Sequence, residues 1–329
     1  MTTPRVLFIG GTGIISSACG PAALAAGMEL TLLNRGTTSL RPVPEGAEVL
    51  TADVRDPAAV REVLGGREFD VVVDFVAFTP EHVQADVDAF TGRTGQYVFI
   101  SSASAYQTPA ARLPILESTP LRNPHWQYSR DKIACEDLLV RAYREDAFPA
   151  TVVRPSHTYD RTALPTTGGW TDVARMRAGR PVVVHGDGSS LWTLTHHTDF
   201  ARAFTGLLAN PRAVGDAFHI TSDEAPTWDQ IYADLAAAAG AELDVVHVPS
   251  DAIAAADPEL GAGLLGDKTN SSVFDNSKIK SVVPGWTATV PFAAGAREIV
   301  DWYDAHPDSA VVDERLDALF DALVERYRP

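Results

Sequence analysis

The sequence predicts an α/β fold: a doubly wound parallel sheet with a smaller, discontinuous C-terminal α/β cap. Two observations carry this reading. Apolar, β-branched runs alternate with helical patterns through the first two-thirds of the chain, and within each run the hydrophobicity is continuous, as in strands covered on both faces. The rhythm then breaks after Pro155, so the rest of the chain builds something else.

Taken in order, the strands are Arg5–Ile9, 29–33, 48–50, 70–75, 97–101 and 151–153. Helical stretches fit between them at 58–64, Pro80–Phe90 and 126–144. A helix also opens behind the first strand. Gly20-Pro21 inside it predicts a kink or an early break, because an interior proline lacks a donor and crowds the preceding turn. Beyond Pro155, a loop rich in Gly, Thr and Pro (162–170) leads to a strand at Val182–His185 and the turn Gly186-Asp187-Gly188. A helix at 198–208 and a strand at 217–221 can return to the main sheet, and the stretches 227–248 and 264–297 form the cap. The first domain is thus expected at 1–160, completed by about 195–222, and the cap at 161–194 plus 223–329.

The bulk properties exclude several classes. No apolar run approaches the ~20 residues that span a bilayer, so no membrane partner is expected. Residues 1–5 run straight into the first strand without the layout of a secretory signal. Cys19 and Cys135 offer neither a disulfide framework nor metal-ligand spacing, which suits a reducing cytoplasm. The formal charge of −16 counts against nucleic acid as a partner, since phosphate binding relies on clustered Lys and Arg.

The chemistry starts at Gly10-Gly11-Thr12-Gly13-Ile14-Ile15-Ser16, between the first strand and its helix. Glycines there permit a tight turn and a close backbone approach to a pyrophosphate seated on the helix N-terminus. Gly10, Thr12, Gly13, Ile14 and Ile15 are therefore expected to hold a dinucleotide, with Ser16 replacing the usual third glycine. The second strand ends in Asn34-Arg35, where a carboxylate would take the ribose 2′-hydroxyl of NAD. A neutral amide beside a guanidinium suits a 2′-phosphate better, so NADP is favoured over NAD. Asp53 and Val54, after the third strand, are placed to meet the adenine.

Tyr128 and Lys132 stand four residues apart, on one face of a helix. The ammonium is expected to favour the phenolate and lower the phenol's pKa toward the working pH, and it can also hold the cofactor ribose. Ser102 lies just past the end of a buried strand, where α/β sheets place their ligands. Its hydroxyl can orient a substrate oxygen while Tyr128 moves the proton and nicotinamide takes the hydride.

These stretches, with Glu117-Ser118-Thr119-Pro120, Val153-Arg154-Pro155 and the segment from Gly179-Arg180-Pro181 to Asp199, resemble the extended short-chain dehydrogenase/reductases, the NAD-dependent epimerase/dehydratase family. The likeness is to its atypical members carrying Asn-Arg-Gly after the second strand, and it runs essentially the full length. It implies a Rossmann domain, a cap, a homodimer, and catalytic roles for Ser102, Tyr128 and Lys132. The expected cofactor contacts are completed by Ala77, Lys132 and Pro155.

Three departures from the family pattern bear on substrate. Trp192 stands where members acting on nucleotide-diphosphate sugars carry an Arg, and His157 where they carry an Asn. Ala103-Ser104 follows Ser102 in place of the Asp-Glu pair of the 4,6-dehydratases, which disfavours that dehydration. Ser104, Trp126, His157 and Trp192 are the expected substrate contacts.

His196-His197 beside Asp199 lacks an obvious third ligand and reads as a capped helix entry, so no metal is expected. Arg175 and Arg177 are the foremost positive charges of the cap, with Trp170 as a further pocket aromatic. The leading reading is an NAD(P)-dependent oxidoreductase or epimerase acting at a secondary alcohol carbon of a small sugar-like or nucleoside-like substrate, epimerisation taken ahead of net redox. The alternative is a non-catalytic NAD(P)-binding sensor or RNA-associated scaffold. The dimer is expected through Pro80–Phe90 and 126–144, on Val83, Val87, Ile133 and Leu138.

Overall fold

The computed structural model describes residues 3–37 and 40–328, so Met1-Thr2 of the segment read above for a leader lies outside them. In chain order the first half gives β1 (Arg5–Ile9), α1 (Ser16–Ala25), β2 (Glu29–Asn34), β3 (Glu48–Thr51), α2 (Pro57–Leu64) and β4 (Phe69–Asp74). There follow α3 (Pro80–Phe90), β5 (Thr94–Ile100), α4 (Gln127–Asp146), β6 (Ala150–Pro155) and β7 (His157–Tyr159). Then come α5 (Trp170–Arg177), β8 (Val182–His185), β9 (Leu194–His196), α6 (His197–Thr205), β10 (Ala217–Ile220), α7 (Trp228–Ala239) and β11 (Val245–Val248). The chain ends with α8 (Ser250–Ala256), α9 (Pro258–Gly263), α10 (Ser277–Val282), α11 (Phe292–Ala305) and α12 (Glu314–Tyr327).

Seven parallel strands form the main sheet in the order β10-β6-β5-β4-β1-β2-β3, a Rossmann-like arrangement. The register explains the unbroken apolar runs. Val6 and Phe8 of β1 face one core with Cys19, Ala23, Phe200 and Phe204, whereas Leu7 and Ile9 face the other with Val60, Val83, Phe90 and Leu139. The inner strands are covered by helices on both sides and are therefore mostly apolar, whereas the edge strand β3 stays largely exposed.

Several expectations change. The break at Gly20-Pro21 does not occur, and α1 continues through Pro21 to Ala25. Cys19 and Ala23 are wholly buried on the sheet, and a Cβ on Gly20 would come within 3.1 Å of Pro44, so tertiary packing overrides the proline's local cost. Val83 and Val87 are buried in the protein's own core, which leaves them unavailable to a second subunit. Ile133 and Leu138 are half-buried, while Val140 and Tyr143 of α4 are exposed.

The stretch 264–297 is split. A five-residue π turn, Leu264–Lys268, follows α9; α10 then returns to the main sheet, where Ile279 and Trp286 join the core beneath β10. A separate pair of parallel strands, β11 and β8, is packed by α5, α7, α11 and α12 around Trp228, Tyr232, Phe292, Leu316 and Phe320. β7 and β9 form a third small sheet, in which His157 lies opposite Leu194. Three-residue strands carry too little periodicity to be read from sequence.

Candidate active site

The Gly-rich turn is shaped by side chains on both sides. Gly10 has φ +84°, and a Cβ there would strike Val76 at 2.4 Å, so only glycine fits. Ser16 is more than a small substitute. Its hydroxyl donates to the Gly10 carbonyl (2.7 Å) and accepts from the Gly13 N–H (2.8 Å), stapling the turn across its mouth. Asn34 accepts from the Gly11 N–H at 2.8 Å, tying the end of β2 to the same turn. Among the described residues the N–H groups of Ile14 and Ile15 have no protein acceptor, which is what a pyrophosphate at a helix entry requires.

A groove of ≈ 630 Å³ runs from this turn past Asn34, Arg35, Asp53 and Val54 to Phe75 and Phe78. Gly10, Thr12, Gly13, Ile14 and Ile15 line this groove. Arg35 is exposed and pairs with no described residue, whereas Arg41 on the same groove is bound to Asp160 at 2.6 Å. Asp53 accepts from the Arg55 N–H at 2.9 Å, and Arg55 reaches the Val76 carbonyl, a groove contact that sequence reasoning missed. Ala77 does not face the groove. It is wholly buried, and acts through its carbonyl.

The groove shares Ile14, Ile15, Phe75, Phe78 and Ile100 with a second cavity of ≈ 390 Å³, so the two are continuous. That cavity brings together Ser102, Ser104, Trp126, Tyr128, Lys132, Pro155, His157 and Trp192, all singled out from sequence. It also holds Asp267 and Lys268, which were not. Tyr128 and Ser102 line this cavity together. Ser102 and Ser104 Oγ atoms lie 2.9 Å apart, and Ser129 donates to Ser104 at 2.7 Å, so a file of hydroxyls runs from Ser102 into the core.

Lys132 donates from Nζ to the carbonyls of Ala77 and Ile100, each at 2.7 Å, and lies 5.8 Å from the Tyr128 ring centre. Burial brings its pKa down to about 8. The expected lowering of the phenol is not found: burial pushes Tyr128 up to about 12, with Ser102 opposing and the charge of Asp267 adding to the rise. The ammonium is anchored on backbone carbonyls below the ring, so desolvation dominates.

Below Lys132 lies a buried acidic pair. Asp74 accepts from the Ala77 N–H at 2.7 Å, and Tyr97 donates to Asp86 at 2.6 Å. The second oxygen of Asp74 has no donor among the described residues, while burial and Asp74 itself drive the Asp86 pKa well up. Asp86 is therefore the member that takes a proton, which the donor-free oxygen of Asp74 can accept.

At the far end, Trp192 gives its indole N–H to His157 Nδ1 (3.3 Å) and stacks on Trp228 at 5.4 Å. Burial, then Lys268, pushes the imidazole down to about 3, so His157 is neutral. The cap arginines are engaged elsewhere. Arg175 holds Pro181, Asp317 and Asp321, and Arg177 holds Asp304; Trp170 stacks on Tyr303. Asp199 does not cap its own helix, but orders 289–290 by accepting from the N–H groups of Thr289 and Val290. His196 contacts Thr198 and Glu298, and no metal-binding cluster occurs among the described residues.

The chain is 29% identical over 254 residues to 2′-dehydrokanamycin reductase of Streptomyces kanamyceticus, covering 76% of this chain and 70% of the relative. It is 27% identical over 256 residues to chloroplast stem-loop binding protein of 41 kDa b of Arabidopsis thaliana, covering 74% and 65%. In fold it matches an epimerase from Methanothermobacter thermautotrophicus with TM-score 0.76 at 17% identity, over 94% of both chains. It likewise matches dTDP-glucose 4,6-dehydratase from Bacillus anthracis in complex with NAD, with TM-score 0.74 at 18% identity, over 93% and 98%. The model of the NAD dependent epimerase/dehydratase family matches residues 6–221, and the chain is an enzyme of that family.

Proposed function

We propose that the chain is an NADP-preferring oxidoreductase acting at a secondary alcohol or ketone carbon of a small sugar-like or nucleoside-like substrate. The observation that carries this is the meeting of Ser102, Tyr128 and Lys132 in the second cavity, where the dinucleotide groove opens into it. When bound, the nicotinamide supplies the hydride exchange. Ser102 orients the substrate oxygen, and Tyr128, held protonated, donates a proton to a ketone. That direction puts net reduction ahead of the epimerisation expected from sequence, in keeping with the reductase name of the Streptomyces relative. Lys132 holds the phenol's floor and the cofactor ribose. Arg35 takes the 2′-phosphate.

Residues 161–194 and 223–329, apart from the return of α10 and Trp286 to the main sheet, then serve as the substrate-binding cap, and the protein works as a cytoplasmic homodimer. The Arabidopsis relative is named for binding a stem-loop. A charge of −16 counts against carrying that over, and the presence of Ser102, Tyr128 and Lys132 in one cavity counts against a non-catalytic sensor. A mass spectrum of small molecules released from freshly purified protein tests the proposal. Recovery of NADP(H) supports it; absence of any nicotinamide, with no binding on titration, overturns it.

A further inference from the structure

We propose that Asp267, with the indole rings of Trp126 and Trp192, forms a subsite for an ammonium group, so that the substrate is an amino-bearing glycoside. This rests on the reading of the cleft as a sugar-like oxidoreductase site and narrows it. Asp267 sits in the π turn Leu264–Lys268 and lines the cavity that holds Ser102 and Tyr128. Its side chain is only 20% exposed, yet it accepts no hydrogen bond from any described residue. Its nearest cation, Lys268 Nζ, stands at 3.8 Å, beyond hydrogen-bond reach. Burial accordingly raises its pKa to about 6, with Lys268 offsetting only part of that cost. At neutral pH this is a carboxylate short of donors, facing the reacting hydroxyls.

The space in front of it already holds an ammonium, the chain's own. Lys268 Nζ lies 5.9 Å from the ring centres of both Trp126 and Trp192, within reach of a cation–π attraction. The backbone of Lys268 is pinned, since its carbonyl meets His185 Nε2 at 3.0 Å and receives the Trp228 N–H at 3.2 Å. Its four-carbon stem is flexible, so the side chain can yield the place to a ligand amine without moving the turn. The indole N–H of Trp192 is committed to His157, which leaves Trp192 a ring face to offer. The cap arginines add no positive charge here: Arg175 and Arg177 are held in ion pairs, and neither lines the cavity. The acidic surface, at −16, favours the approach of cations.

The test is calorimetric titration of the NADP-loaded full chain with kanamycin and with fully N-acetylated kanamycin, which keeps the skeleton and removes the charge. Kanamycin should bind ~10–100-fold more tightly, the range of a charged hydrogen bond to a buried partner. Asp267→Asn should abolish the difference, and Lys268→Met, which removes the resident ammonium, should strengthen kanamycin binding. Equal binding of the two ligands, or a preference that survives Asp267→Asn, overturns the subsite and leaves the glycoside reading standing. If Asp267→Asn does not fold, Lys268→Met decides: no gain for kanamycin over wild type overturns the proposal. If neither ligand binds while NADP does, the sugar-like reading falls and the subsite with it.

Discussion

Trp192 donates its indole N–H to Nδ1 of His157 across 3.3 Å, which fixes the imidazole proton on Nε2. Two residues that stand where nucleotide-sugar enzymes present charged or amide donors are thereby committed to each other. UDP-, dTDP- and GDP-sugars should bind poorly. The missing charged hydrogen bond is worth ~1.5–3 kcal/mol, or about 10–100-fold in affinity. A titration panel against uncharged glycosides checks this, and micromolar affinity for any UDP-sugar would refute it.

Tyr128→Phe should keep its fold and cofactor affinity but lose turnover by ~10²–10⁴-fold, as for a missing general acid. Steady-state rates alongside cofactor titration measure both halves. Near-wild-type turnover would remove Tyr128 from the chemistry.

Arg35→Ala should weaken NADP(H) while leaving NAD(H) nearly unchanged, because only the 2′-phosphate asks for the guanidinium fork. Arg41 cannot substitute while it is bound to Asp160. Parallel calorimetry with both coenzymes decides, and an equal loss for each would show that Arg35 serves the adenine or the fold instead.

Lys132 predicts a pH signature. Its folded pKa, about 8, lies below the 10.5 of the free side chain, so between these values the unfolded chain binds more protons and stability rises with pH. The thiols of Cys19 and Cys135, pushed up by burial, give an opposing fall above their free value of 9.0. The difference between wild type and Lys132→Met isolates the lysine. Urea melts from pH 7 to 9.5 should show the wild type gaining on the variant, and a flat difference would mean that Lys132 is not held below its usual range.

Asp86→Asn should be tolerated, since its amide can donate to Asp74 and accept from Tyr97. Asp86→Ala orphans both partners in the core and should cost about 3 kcal/mol or more. Equal stabilities in denaturant titration would show that no proton is shared there.

Much of this was legible in the sequence because the signals are local. The turn at Gly10–Gly13, the four-residue step from Tyr128 to Lys132 and the continuous apolar strands each obey a short-range rule. What escaped depends on distance. Asp267 comes from a π turn with no periodicity, and its meaning arises from the cavity it enters. Ser16 looked like a small-for-small exchange, because its two hydrogen bonds exist only once the turn closes. Val83 and Val87 satisfy an interface pattern and a core pattern equally, and the packing of α3 on the sheet chose the core. Tyr128 was misjudged in direction because spacing gives proximity to Lys132 but says nothing of how deeply the phenol is buried.

The order of strands also bears on how the chain is made. β6 finishes at Pro155, but its outer neighbour β10 begins only at Ala217. During synthesis the ribosome therefore exposes β6, every residue of which is buried in the folded protein, as an open edge until the intervening segment has emerged, and such edges invite pairing with other chains. A nascent chain stalled or cleaved between these two strands would be the species most in need of a chaperone.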